Sequence, residues 1–165
     1  MMAPAHLAVV AAKKRSGGGG GAWYESLAGG DVTVGVNNYT NLLRNCPVTL
    51  GAGNVTKLAA YKYTNSGQNV RVGLYKDSDR SLVVQGTITA TGTGWNEVTV
   101  TSTAVTAGSY LLAVNAVADG DQLGYSTTIG TRAVKSGTYN PLPDPLPAND
   151  GVSSTGAIAL RAWVE

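Results

Sequence analysis

The stretch NVRVGLYK, residues 69–76, decides the fold class because its side chains alternate in character. Val70, Val72 and Leu74 fall on one side of an extended chain, and the residues between them fall on the other side. A period of two over four to eight residues is typical of a half-buried β-strand. The stretch therefore predicts a strand that packs one face against a core.

The segment that follows continues this pattern. In residues 81–88 (SLVVQGTI), Leu82, Val84 and Ile88 are predicted to share one face. Turn compositions such as KDSD, TGTGW and TAG separate the runs at intervals of about ten residues. Strands at this spacing favour an antiparallel sandwich over a fold in which strands alternate with helices.

Further segments of strand character extend the pattern to both ends of the chain. They are residues 31–37, 46–50, 55–63, 96–101, 109–117, 122–127, 132–134 and 157–164. Residues 37–45 are predicted to include a helical turn. In the last segment, AIALRAWV, Arg161 and Trp163 face away from the apolar row. Counted without one or both of the shorter edge segments 122–127 and 132–134, eight or nine strands remain, which fits a jelly roll better than the seven-stranded immunoglobulin pattern. We therefore predict an all-β fold, an antiparallel β-sandwich of jelly-roll type, with residues 23–165 as a single domain.

The first 22 residues have a different composition and are predicted to form an extended N-terminal arm. A short apolar start is followed by the basic triplet at 13–15 and by glycines at 17–21, which act as a flexible tether. The apolar stretch is too short to span a membrane, and its charges follow it, so neither a signal peptide nor a transmembrane segment is expected. The residues predicted to contact a partner here are Lys13, Lys14, Arg15, Trp23 and Tyr24.

A second unusual segment lies at residues 135–155, where prolines occupy every second position. Pro141, Pro143, Pro145 and Pro147 exclude both helix and central strand and favour an extended path. Two interpretations remain open: a loop that binds a partner, with Pro141, Pro143 and Pro145 as contacts, or a stiff crossover between the sheets.

Residues that carry chemistry are scarce. His6, the single histidine, lies in the arm, so a Ser-His-Asp or Cys-His site has no base in the domain. The three glutamates are Glu25, Glu97 and Glu165, and Glu97 lies in a polar strand row. Cys46, the single cysteine, is interpreted as a buried small hydrophobe. We predict that the chain is not an enzyme and binds no cofactor.

Two acidic pairs are candidates for calcium ligands, since Ca²⁺ prefers oxygen ligands. They are Asp77 with Asp79 in KDSD, and Asp119 with Asp121 in ADGDQ. Neither pair continues into the longer series of an EF-hand loop. Because aspartate and glycine also suit tight turns, a turn role is favoured over a metal site.

Charge argues against a nucleic-acid binder. The chain has twelve basic and ten acidic residues, a net charge of +2. Without the triplet at 13–15 the count is nine against ten, a net charge of −1. A basic surface of the kind that holds phosphates is therefore not expected on the domain, and the triplet is better suited to docking on a partner protein.

Aromatic residues offer one binding hypothesis. Tyr61, Tyr63 and Tyr75 are predicted to share a face, and Trp95 and Tyr139 are predicted to lie in loops. Flat aromatic rings with a polar rim suit sugar binding, with Trp95 and Tyr139 as the proposed contacts. The alternative is ordinary packing between the sheets.

Two parts of the sequence carry a resemblance. Residues 69–116, with VRVGLY, GWNEVTV and VTAGSYLLAV, resemble a jelly-roll module of tailed-bacteriophage virion proteins and of extracellular carbohydrate-binding-like domains. The start AAKKRSGGGGGAWY is similar to the N-termini of some tailed-phage structural proteins. The resemblance implies a homo-oligomeric virion protein of the capsid or tail, assembled in the host cytoplasm and attached to other virion proteins through its arm. It also leaves open a carbohydrate-binding module that recognises a host glycan, with no specific nucleic acid or membrane as partner.

Overall fold

The structure is a computed structural model, and it describes residues 15–16, 20–27, 32, 34–38, 42–64, 67–89, 91–118, 120–127, 132–137, 139–153 and 156–165. These residues form two antiparallel β-sheets that pack against each other, and no helix occurs among them. The prediction of an all-β antiparallel sandwich is confirmed.

Thirteen strands are present in the described residues. They are β1 (Arg15–Ser16), β2 (Ala22–Glu25), β3 (Val34–Asn38), β4 (Leu42–Leu50), β5 (Gly53–Lys62), β6 (Val70–Lys76), β7 (Leu82–Ile88), β8 (Gly94–Val105), β9 (Gly108–Ala116), β10 (Asp121–Tyr125), β11 (Arg132–Ser136), β12 (Gly151–Ser153) and β13 (Leu160–Val164).

The strands divide into a front sheet and a back sheet. In the front sheet β1, β2, β13 and β5 are neighbours in that order, β8 pairs with the other edge of β5, and β10 joins β5 to β3. The back sheet has the order β12-β11-β4-β9-β6-β7. From β4 to β11 the chain changes sheet at almost every connection, as in a jelly roll. No helix in the described part of the chain is long and apolar enough to cross a membrane.

The main core lies between the two sheets. In β6, Val70, Val72 and Leu74 are buried in it, as the alternation predicts. From the facing side, β5 supplies Leu58 and Ala60. Each fully buried Val or Leu contributes about 1.5–3 kcal/mol. This core therefore fixes which face of each sheet points outward.

Two local predictions are wrong, and both concern strands that are buried on two faces. Residues 42–45 belong to strand β4 and form no helical turn. Leu43 faces a second apolar cluster outside the back sheet, whereas Cys46 faces the main core. Because both faces of the strand are apolar here, the sequence shows no alternation of apolar and polar residues. Leu82 packs against the second cluster, whereas Val84 packs in the main core. The reason is that the pairing of β6 with β7 shifts register at this point.

The proline segment covers the outer face of the back sheet. Leu142 and Leu146 are buried against Leu43, Tyr75 and Leu111, which completes the second cluster. The peptide bonds before Pro141 and Pro145 are cis, and the two prolines are exposed. The segment thus follows the surface of the sheet, and its C-terminal end forms β12 inside the range predicted as a loop.

Hydrogen bonds hold this cover in place. The Arg80 guanidinium donates to the carbonyl oxygens of Leu146 and Pro147 at 2.9 and 2.7 Å. The Tyr75 hydroxyl donates to the Pro143 carbonyl at 2.9 Å, and burial raises the pKa of Tyr75. The Asp144 carboxylate accepts a hydrogen bond from the Leu82 amide. Arg80 itself has a positive φ of 62°, which costs energy in a non-glycine residue and is offset by these bonds.

The C-terminal end of the proline segment is predicted to lose stabilising contacts of Asp150 in acid. The Asp150 carboxylate accepts hydrogen bonds from Lys135 Nζ at 2.6 Å and from the Ser136 amide at 2.7 Å, and these bonds lower its pKa to about 2. A depressed pKa contributes stability that is present above the unfolded value of about 3.9 and lost as pH falls through about 2. We expect Asp150→Asn to lower the melting temperature at pH 7 and to have a much smaller effect near pH 2, where the carboxyl is already about half protonated in the folded state. A carboxyl NMR titration of Asp150 with a midpoint near 4 would contradict this prediction.

Candidate functional site

The outer face of the front sheet carries five of the ten aromatic residues that the structure describes, including all three tryptophans. Lys57, Ala59 and Tyr61 point outward, since the alternate residues Leu58 and Ala60 fill the core. Neighbouring strands place further side chains beside them, because cross-strand partners share a face. The register gives the rows Trp23–Trp163–Lys57–Thr99, Glu25–Arg161–Ala59–Glu97 and Tyr61–Trp95. We call the set Trp23, Tyr61, Tyr63, Trp95, Arg161 and Trp163 the aromatic face.

Arg161 lies at the centre of the aromatic face. Its guanidinium carbon is 4.0 Å from the ring centroid of Trp23 and 4.1 Å from that of Trp95. Ala59 separates the strands of Arg161 and Trp95, and its small side chain leaves room for the two to meet above it. A cation held against aromatic rings gains about 0.5–2 kcal/mol per contact. The guanidinium therefore fixes both indoles in place.

Carboxylates flank this guanidinium. Arg161 donates to Glu97 at 2.9 Å and lies 4.0 Å from Glu25, and the side chains of Arg161 and Glu25 are only 12% and 7% exposed. Lys57 lies 3.7 Å from Glu97 at a more exposed position. The centre of the aromatic face is thus a compact network of ion pairs between the aromatic rings.

Trp163 closes one end of the aromatic face. Its ring centroid is 5.3 Å from that of Trp23, with the planes tilted by 58°. The Trp163 indole donates to the Glu165 carboxylate at 2.9 Å, and Thr56 donates to the same carboxylate oxygen at 3.2 Å. This indole is oriented by hydrogen bonding as well as by packing.

Two tyrosines close the other end, where they lie against a pair of glycines. Gly35 and Gly124 are cross-strand partners in β3 and β10. A Cβ atom on Gly35 would come within 2.5 Å of the Tyr63 ring, and one on Gly124 within 2.7 Å of the Tyr61 ring. Only glycine permits this close approach, so the pair forms a shallow floor on which the rings lie. Tyr61 also meets Trp95 edge to face, with centroids 5.6 Å apart.

Tyr63 is the exposed member of this group. The residue is 44% exposed, so one side of the ring is open to a ligand while the other lies against Gly35. Polar groups stand beside it: the Gln122 amide, which approaches the same glycine, and the exposed Thr64 hydroxyl, which accepts a hydrogen bond from the Gln122 backbone. A flat apolar surface with adjacent polar groups can hold a ligand that has both characters.

The aromatic residues named from the sequence are distributed over both sheets. Trp95 belongs to the aromatic face, and Tyr61 and Tyr63 lie together there. Tyr139 packs against the second cluster on the back sheet, so the structure does not bring it near Trp95. Tyr75 is buried in that cluster under the proline segment. The three tyrosines therefore do not share one face.

The residues predicted to attach the arm are only partly described. Lys13 and Lys14 lie outside the described residues. Arg15 pairs with Trp23 in the register of β1 and β2. Trp23 faces outward on the aromatic face, whereas Tyr24 packs against the main core from the other side of β2. The two neighbours therefore serve different surfaces.

The acidic pairs and the cysteine occupy ordinary structural positions where they are described. Asp79 accepts hydrogen bonds from the Ser81 hydroxyl at 2.7 Å and the Ser81 amide at 2.9 Å, which lower its pKa, and Asp77 is exposed nearby. Asp119 lies outside the described residues, and Asp121 begins β10. No three His, Cys, Asp or Glu residues in the described ranges form a group that could hold a metal ion.

Cys46 is buried in the main core. Burial raises the pKa of its thiol to about 12, and its sulfur accepts a hydrogen bond from the Ile158 amide. Its packing role agrees with the interpretation of the sequence.

Sequence reasoning missed the central role of Arg161 and Trp163. A signal was present, because the alternation in residues 157–164 turns both side chains away from the core. Only the register between β13, β2 and β5 shows that Trp23 and Trp95 lie on either side of Arg161.

Together these features define an antiparallel β-sandwich with an aromatic outer face on one sheet. No protein-family model and no curated protein matches the sequence. Among solved structures, the clostridial cysteine protease Cwp84 after propeptide cleavage is similar, with a TM-score of 0.60 and 10% sequence identity. The similarity covers 88% of this chain, which spans 40% of the protease chain. At this identity the likeness shows the fold alone.

This similarity corrects the prediction that the chain is not an enzyme. The prediction rests on the scarcity of histidine and glutamate in a fold taken to be a passive scaffold. A cysteine protease chain that contains the same fold overturns it, since such a sandwich occurs as part of an enzyme. The finding concerns the fold and assigns no reaction to this chain.

Proposed function

We propose that this chain is a carbohydrate-binding β-sandwich whose ligand lies on the aromatic face, beginning at Tyr63. The observation that carries the proposal is the exposed Tyr63 ring, which lies against Gly35 with the Gln122 amide and the Thr64 hydroxyl beside it. A sugar ring has a C–H-rich face that packs on an aromatic ring, and hydroxyls at its edge that need hydrogen-bond partners. Tyr63 supplies the first contact, and the two polar side chains supply the second.

The surroundings of Tyr63 favour a preformed binding site. Tyr61 lies on the other glycine of the floor, and its edge-to-face contact with Trp95 fixes both rings. Rings that are already positioned lose little conformational freedom when a ligand binds. A small set of fixed aromatic side chains is therefore able to bind a sugar without rearrangement of the sheet.

A glycan array followed by calorimetric titration of the best ligand tests this proposal. We expect Tyr63→Ala to weaken binding at least about tenfold, which corresponds to about 1.4 kcal/mol. Gly35→Ala should have a similar effect, because its Cβ displaces the Tyr63 ring. Gly108→Ala is the matched control, since a Cβ there meets nothing within 4 Å, and Tyr139→Ala removes an aromatic residue from the back sheet.

Both controls should bind as the unchanged protein does. The proposal is wrong if the folded protein binds no glycan on the array, or if Tyr63→Ala binds the best ligand with unchanged affinity.

The virion role stays a prediction alongside this proposal. Attachment to the capsid or tail of a phage through residues 1–22, and self-association there, rest on the resemblance of the sequence. The two roles are compatible, because a protein displayed on a particle is well placed to recognise a host glycan.

A further inference from the structure

We infer that the ligand of the aromatic face is an extended, uncharged oligosaccharide that lies along β5 from Tyr63 to Trp163. The inference rests on the proposed function, and it deepens that function by naming the class of carbohydrate. It follows from the length of the aromatic face and from the charges along it.

Length is the first argument. Outward residues of β5 follow at every second position from Lys57 to Tyr61, and Tyr63 continues the row. Trp163 is the cross-strand partner of Lys57, so it stands at the far end of the same row. The six residue-to-residue steps from 57 to 63 span about 20 Å at about 3.3 Å per step. That distance is several times the width of one pyranose ring, so a single sugar would use only one end.

The middle of the row suits the hydroxyl groups of such a chain. Glu97 is the cross-strand partner of Ala59 in the middle of the row, and Lys57 lies beside Trp163; their side chains are 38% and 43% exposed. A charged group donates to or accepts from a hydroxyl more strongly than a neutral group does. The row thus offers aromatic surface at its ends and hydrogen-bonding groups in between.

Charge is the second argument, and it excludes acidic sugars. Among the described side chains of the row, two cations, Lys57 and Arg161, face three carboxylates, Glu25, Glu97 and Glu165. Both cations already lie within 4.0 Å of a carboxylate. A ligand carboxylate would have to compete with these ion pairs and would meet the excess negative charge.

The test is a length series on the unchanged protein, measured by calorimetric titration. The probes are the one- to six-sugar members of the neutral glycan that binds best on the array, and hyaluronan and polygalacturonate fragments of matching length. We expect affinity to rise at least about tenfold from one sugar to four, about 1.4 kcal/mol, and the acidic fragments to bind at least about tenfold more weakly.

A variant locates the far end of the ligand. Trp163→Ala should weaken the binding of the long oligosaccharides more than that of the single sugar, whereas Tyr63→Ala should weaken both. Equal affinity for one and four sugars, or preference for the acidic fragments, would overturn this inference and leave the proposed function standing. Failure of every sugar to bind the folded protein would overturn both.

Discussion

Replacing Arg161 by alanine is expected to lower the free energy of unfolding by about 3 kcal/mol. Removing one partner of a buried ion pair costs about 3–5 kcal/mol, because the remaining charge stays in a poorly solvated site. Glu25, whose side chain is 7% exposed, would lose this ion pair in a poorly solvated site, whereas Glu97 is 38% exposed and regains water. The lower end of the range therefore applies. The same change removes the guanidinium that lies between Trp23 and Trp95 and frees both rings to move.

Urea denaturation of three variants separates these contributions. Lys57→Ala is the matched control, since it removes a cation from the same network at an exposed position and should cost at most about 1 kcal/mol. Arg161→Lys should give an intermediate loss, because it keeps the charge and loses the planar group that lies against the rings. A loss below about 1 kcal/mol for Arg161→Ala would mean that the network at the centre of the aromatic face is not a stabilising unit.

The fold class was accessible from the sequence because strands such as β8 and β13 keep one face that is polar or only half-buried. Alternation in residues 69–76 indicates a strand with one face in a core, and Val70, Val72 and Leu74 are buried in the main core, while Tyr75 on the other face is buried under the proline segment. Short turns between such strands leave few arrangements other than two packed antiparallel sheets. This reasoning uses only neighbours in the chain, and so it needs no knowledge of register.

The aromatic face could be predicted only in part, because it depends on the pairing of strands that are far apart in the chain. Trp23 and Trp163 come from opposite ends of the chain and meet through the pairing of β2 with β13. A shift of one residue in that pairing would send one of them into the core. Likewise, the floor under Tyr63 depends on the strand pairing that brings Gly35 of β3 below the ring. Neither the register of β2 with β13 nor the position of Gly35 under Tyr63 can be inferred from the sequence of a single strand.

The back sheet is the place where alternation itself fails as a guide. Its outer face is covered by the proline segment, so Leu43 and Tyr75 are buried although they point away from the main core. Strands buried on both faces lose the period of two. The prolines were recognisable from the sequence, but the leucines between them indicated a cover only once their contacts were known.

Replacing Leu146 by alanine is therefore expected to destabilise the protein by about 2–5 kcal/mol, although the residue lies in a segment without helix or strand. Its side chain is fully buried in the second cluster, so the change leaves a cavity next to Tyr75 and Leu142. Thr87→Ala, at an exposed position of the same sheet, is the control and should change stability by no more than about 0.5 kcal/mol.

The binding of Leu146→Ala gives a second, independent result. Its affinity for the best glycan should equal that of the unchanged protein at a temperature where both are folded, because the aromatic face lies on the other sheet. Tyr63→Ala should show the reverse, with weakened binding and little change in stability, since Tyr63 is 44% exposed. If Leu146→Ala lost its glycan affinity while folded, the ligand would have to contact the proline segment, and the aromatic face would not be the site.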